Sequence, residues 1–136
     1  MDAVIASLYG IIPFILYFLG SIAALLVFSK LYAAITPHDE MELMRNNNTA
    51  AAIAYVGALI GFAIPVASAA ANSVSLLDFG IWVVVAAVAQ LAVFFVFRLT
   101  FPKISERIQA GELAVPLKLA CWSVVIGILN AAAMTY

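Results

Sequence analysis

The densest run of chemistry-bearing side chains lies between Thr36 and Asn48, "TPHDEMELMRNNN". His38 and Glu42 stand four apart, so a helix would set them on one face, with Asp39 and Glu40 close by. An imidazole and a carboxylate at that spacing are two ligands for a divalent metal, but a protein-built zinc site wants three or four. His38 is the single histidine, so a fuller site would need a second copy of the chain, and no metal site is expected. The plainer reading is a solvated helix start, with acids favoured by the helix dipole. Asn46, Asn47 and Asn48 also have two readings. Amides tolerate left-handed backbone and cap helix N-termini, so Asn46 can end one helix and Asn48 can begin the next, before Thr49. The alternative is an amide cluster that binds a ligand at a membrane surface; capping explains all three residues.

Other polar groups are sparse. Gln90 and Asn130 sit inside apolar runs and must find partners, because an unsatisfied polar group in hydrocarbon costs several kcal/mol. Gln90 is eight residues before Arg98 and Asn130 eighteen after Glu112. At ~1.5 Å per residue their depths differ by about 15 Å, so they are not each other's partner. Tyr17, Ser21, Tyr55, Ser68 and Ser123 are the available alternatives. Lys118 follows Glu112 closely enough to snorkel to the surface. Cys121, the one cysteine, lies in an apolar run and reads as a buried, inert thiol. No Asp or Glu is deeply embedded, which argues against proton-coupled transport. No nucleophile–base pair, phosphate loop or haem-type histidine pair is present, so neither an enzymatic activity nor a cofactor is expected.

The elements that carry these residues follow from composition. The chain has 136 residues, 67% hydrophobic and 10% charged, with a mean hydropathy of +1.17. A soluble domain is near half apolar and about a quarter charged. A compact fold of this length cannot hide so much apolar surface, so its solvent is the lipid bilayer. The net charge of -1 gives no basic footprint for nucleic acid. Four stretches are long enough to cross a membrane: about 3–31, 49–71, 79–97 and 113–134. The first is too long, and lacks the basic start, for a cleaved signal peptide. Pro13 and Pro65 should kink the first and second spans. Ser75 and Asp78 have capping-box spacing, so the third span should begin near Leu76, with Phe79 and Trp82 near that surface.

Lys30 and Arg45 flank the first connection, and Arg98, Lys103 and Arg107 the third. The excess of cations places both connectors in the cytoplasm and both termini on the periplasmic side. The halves resemble one another: span, proline (Pro37 or Pro102), short polar segment, then small residues opening the next span. The expected architecture is an all-α membrane protein, residues 1–136 as one domain. Its four transmembrane helices form two weakly repeated hairpins, about 1–72 and 73–136, with short interfacial helices in the cytoplasmic connectors. In the first connector Thr36 can cap, Pro37 suits the first helical position, and Asp39 completes a capping box. Met41, Leu43 and Met44 give that helix an apolar side, as Ile104 and Ile108 do in the second connector.

At the first connector and beyond, the sequence resembles a known family. "ITPH-E--L--NNNTAA", "G-AIP--SAA-N-VS", "QL-VF" and "NAA-MT" are similar to the YjfL-like family of bacterial inner-membrane proteins. The resemblance covers nearly the whole chain. It implies a four-span protein of two weakly similar halves in the inner membrane of a Gram-negative bacterium. The family is one of unknown function, so it supplies no catalytic residue. Its members often lie beside envelope-stress and ATP-grasp genes, which implies an envelope role. Glu112, Pro116 and Lys118 depart from the family's pattern in the second half, where an Asn-containing signal is more common.

Gly57 and Gly61 form Gly-x-x-x-Gly in the second span, a spacing that permits close helix approach, either inside the bundle or between copies. The function expected is a homo-oligomeric scaffold or accessory protein of the envelope, a dimer being favoured, possessing no enzymatic activity and partnered by another envelope protein. The alternative is a small transporter or channel formed by dimerisation, with Gln90 and Asn130 lining a polar path. Candidate ligand contacts are Asn46, Asn47, Asn48, Gln90, Glu112 and Asn130.

Overall fold

A computed structural model of the chain describes residues 1–36 and 39–136; Pro37 and His38, and with them the expected helical start at Pro37 and the His38–Glu42 pair, lie outside the described residues. The described elements are seven helices: α1 (Asp2–Tyr9), α2 (Ile11–Ile35), α3 (Glu40–Arg45), α4 (Thr49–Asn72), α5 (Leu76–Thr100), α6 (Ile104–Gln109) and α7 (Ala114–Ala133). Four helical stretches are long and apolar enough to cross a membrane: α1 with α2, α4, α5 and α7. The shortest, α7, has 20 residues, which at 1.5 Å per residue matches a hydrocarbon core of about 30 Å.

The first span is interrupted at Gly10, between α1 and α2. Pro13 explains the break, because it has no N–H to donate to the carbonyl of Tyr9. In α4 the helix runs on through Pro65, which is buried.

Helix ends obey local chemistry. Ser75 Oγ accepts from the Asp78 N–H at 3.1 Å, and Asp78 returns a carboxylate oxygen to the Val74 N–H at 3.1 Å. That reciprocal cap starts α5 at Leu76. Asp78 also accepts from the Trp82 indole at 3.1 Å. The first connector departs from expectation. Asp39, not Thr36, caps α3, accepting from the Glu42 N–H at 3.1 Å. Thr36 is extended, with φ −80° and ψ 132°, so its hydroxyl turns back to the Ala33 carbonyl at 3.1 Å.

The core is built on one helix. α4 makes its most extensive contact with α7, and α5 packs on both. α4 buries ten residues, including Ala50, Ala51, Ala54 and Ala58. α2 lies outside this trio, against α4 and α5, and buries only Phe28 and Tyr32. Their rings tie it down: Phe28 stacks on Phe62 at 4.3 Å, and Tyr32 meets Phe94 edge-on at 5.6 Å. Most other large apolar side chains of α2 point outward, as they must in a helix solvated by lipid.

Candidate functional site

Polar groups collect at three levels of the bundle. At the connector end, Asn48 joins the two connectors. Its Oδ1 accepts from the Ala51 N–H at 3.0 Å, capping α4. Its Nδ2 donates to the carbonyls of Ile108 and Gln109, at 3.0 and 3.2 Å, where α6 ends. One amide thus satisfies an orphan donor of one helix and donates to the terminal carbonyls of another, which a carboxylate could not do. Asn46 is the C-cap of α3, and Asn47 takes the left-handed conformation at φ 64°. Gly111 follows α6 at φ 81°. Both helices close with the same pair of bonds: the Asn47 and Asn48 N–H groups to the Met44 and Leu43 carbonyls, and those of Gly111 and Glu112 to the Ile108 and Arg107 carbonyls. This is the Schellman pattern.

The corners then diverge. Asn48 caps α4, while Leu113, at the N-cap of α7, makes no side-chain cap bond. Glu112 instead faces Arg107, carboxylate to Nε at 3.7 Å, both side chains about half exposed. Lys118 sits with its Nζ 5.6 Å from the Phe101 ring centroid.

Glu40 overturns the expectation of a fully solvated acidic helix start: it is 1% exposed and buried with Tyr32 at the connector end. Tyr55 donates to the Ser29 hydroxyl at 2.7 Å nearby. Sequence reasoning missed Glu40 because only tertiary contact distinguishes it from Asp39 and Glu42, which are exposed.

At mid-depth, Gln90 is 1% exposed and donates from Nε2 to the Ser123 carbonyl at 2.9 Å. Its other polar atom, Oε1, has no conventional donor among the described residues. A Cβ built on Gly61 would stand 2.8 Å from it and collide with the Ser123 carbonyl. Gln90 Oε1 therefore occupies the space that a side chain at position 61 would need. Cβ atoms built at Gly57 and Gly127 would collide with Ala120 and with the Gly61 carbonyl, respectively. That carbonyl is free to face Gly127 because its i+4 position is Pro65, which has no N–H. Gly57 and Gly61 are thus spent on α7 within one chain.

At the turn end, Tyr136 shares a hydrogen bond with Ser68 at 2.7 Å and meets the Trp82 ring at 5.8 Å. The buried Nδ2 of Asn130 has no hydrogen-bond partner among the described residues. Cys121 corrects another expectation: it is exposed on the bundle surface, beside a furrow floored by Gly57 and Ala120. Apolar neighbours in sequence signify burial in a soluble protein, but here they signify lipid. Among the described residues no group of three His, Cys, Asp or Glu could hold a metal ion.

These features have relatives. Residues 6–134 match the family described as Domain of Unknown Function (DUF350). The UPF0719 inner membrane protein YjfL of Escherichia coli strain K12 is 41% identical over 127 residues, which cover 93% of this chain and 96% of that protein. Its counterpart in Escherichia coli O157:H7 is similar to the same extent. No solved structure matches.

Proposed function

Since the chain belongs to the DUF350 family, whose function is unknown, we propose its role from geometry: a homo-oligomeric scaffold or accessory protein of the bacterial inner membrane, dimeric and without enzymatic activity. The relatives' inner-membrane designation at 41% identity supports the compartment. The observation that carries the scaffold reading is the closed bundle centre. Gln90, the one polar side chain at mid-depth of α5, is locked to Ser123 and Gly61 between three helices. A polar path through one chain would leave that amide hydrated. The outward ridge of α2, little used by its own bundle, supports contact with a second copy or another envelope protein.

Both connectors are cytoplasmic in this reading, with α3 and α6 lying in the interface. All six Lys and Arg (Lys30, Arg45, Arg98, Lys103, Arg107 and Lys118) gather toward the connector end, as cytoplasmic segments do. The matching closures of α3 and α6 support an internal repeat of two hairpins.

The runner-up is a transporter or channel assembled by dimerisation, and Asn130 Nδ2 is the observation in its favour. Cysteine at position 90 or 130, in a Cys121→Ala background, separates the two. A scaffold leaves both positions unlabelled by a membrane-impermeant thiol reagent from either side. Labelling at position 90 would sink the scaffold reading, and a monomeric mass by light scattering would sink its homo-oligomeric part.

A further inference from the structure

Three cavities that run from the α5–α6 corner into the α5–α7 seam share lining residues. The first, about 290 Å³, is lined by Thr100, Phe101, Pro102, Lys103 and Arg107. The second, about 180 Å³, shares Thr100 and Phe101 with it and adds Lys118 and Trp122. The third, about 440 Å³, shares Val96, Phe97 and Trp122 with the second and continues past Ala92 to Ala89. Together they make one groove with a cationic mouth at the connector end and an apolar trough beyond it. From Thr100 to Ala89 is eleven residues of α5, or about 16 Å at 1.5 Å per residue. That is the depth of one leaflet of a hydrocarbon core about 30 Å thick.

We propose that this groove binds one anionic phospholipid, its phosphate held by Lys103, Arg107 and Lys118 and one acyl chain laid along Val96, Ala92 and Ala89. The inference rests on the chain spanning a bilayer and not on the scaffold role. Charge complementarity selects the occupant. Basic pockets between membrane helices take anionic headgroups, and a wholly apolar trough below takes a hydrocarbon chain. Two acids lie near the mouth: Glu106 is exposed, and Glu112 is 3.7 Å from Arg107 Nε. An exposed ion pair of that kind contributes little, so the guanidinium is available to a phosphate. The first connector lacks the matching cations. At the positions 64 residues earlier it carries Asp39 for Lys103, Leu43 for Arg107 and Ala54 for Lys118. The difference between the two corners acquires a reason.

Native mass spectrometry of the detergent-purified full chain tests this with phosphatidylglycerol and phosphatidylethanolamine as probes. Expected is one phosphatidylglycerol per chain, bound about tenfold more tightly than phosphatidylethanolamine. Lys103→Gln with Arg107→Gln should abolish that preference. Ala92→Phe, which fills the trough without touching charge, should weaken both lipids. All three positions are exposed, so the fold should survive, as helical circular dichroism would verify. Glycerol 3-phosphate should not displace the lipid. Equal binding of the two lipids by the unaltered chain, an unchanged preference in the double variant, an Ala92→Phe chain that binds as before, or displacement by glycerol 3-phosphate would each overturn the proposal.

Discussion

Gln90 and Gly61 show how a polar residue and a glycine become one device in lipid. The amide of α5 donates to a backbone carbonyl of α7 beside the point where Gly61 and Gly127 let α4 and α7 touch. The two contributions differ in size. A side-chain hydrogen bond between membrane helices averages about 0.6 kcal/mol, so Gln90→Leu should cost no more than about 1 kcal/mol. Gly61→Val drives a branched side chain into a backbone carbonyl, which cannot swing aside, and should cost roughly 3 kcal/mol or more. Reversible unfolding in mixed micelles, followed by circular dichroism, measures both; a larger loss for Gln90→Leu would reverse this ranking. The partner of Gln90 was not legible in the sequence. A search among side chains finds Ser123 by its hydroxyl, whereas the bond goes to its carbonyl.

Elements meet at the connector end through Asn48. Its two roles can be separated by substitution. Asn48→Ala removes the α4 cap and both bonds to α6, and should cost about 1–2 kcal/mol. Asn48→Asp keeps the acceptor for Ala51 but sets a negative charge against the carbonyl end of α6, where anions are disfavoured. It should destabilise as well, although Asp is an equally good cap in isolation. If Asn48→Asp melts with the unaltered protein, the link to α6 contributes nothing. The caps at Asn48 and Ser75 were readable because capping is a local reaction of side chain with nearby backbone. The start of α3 was not, since Thr36 and Asp39 are both competent caps and the fold chooses between them. Glu40 was misread because its burial comes from α2 and α4, not from its neighbours.

For the whole molecule, the arrangement is a tight trio of α4, α5 and α7 with α2 laid alongside. This decides the use of Gly-x-x-x-Gly. Gly57 and Gly61 hold α4 to α7, so any contact between copies must use another face, and α2 offers an outward apolar ridge that includes Phe14, Phe18 and Leu26. The orientation proposed above, with both connectors cytoplasmic, rests on the six cations lying near one end of the spans. A reporter active only in the periplasm should be active when fused after Tyr136 and silent when inserted after Gly111. The opposite pattern would invert the topology and move the lipid groove to the outer leaflet.

Span number, approximate span limits and the polar punctuation between spans came from sequence alone. They depend on length, hydropathy and local capping, which a single chain segment carries by itself. Which helices touch, which glycine meets which carbonyl, and which of three neighbouring acids is buried were decided only in the tertiary structure. In lipid, every face of a span is apolar, so no hydrophobic stripe marks the inner side. Packing shape then does the sorting, and shape exists only once the helices have met.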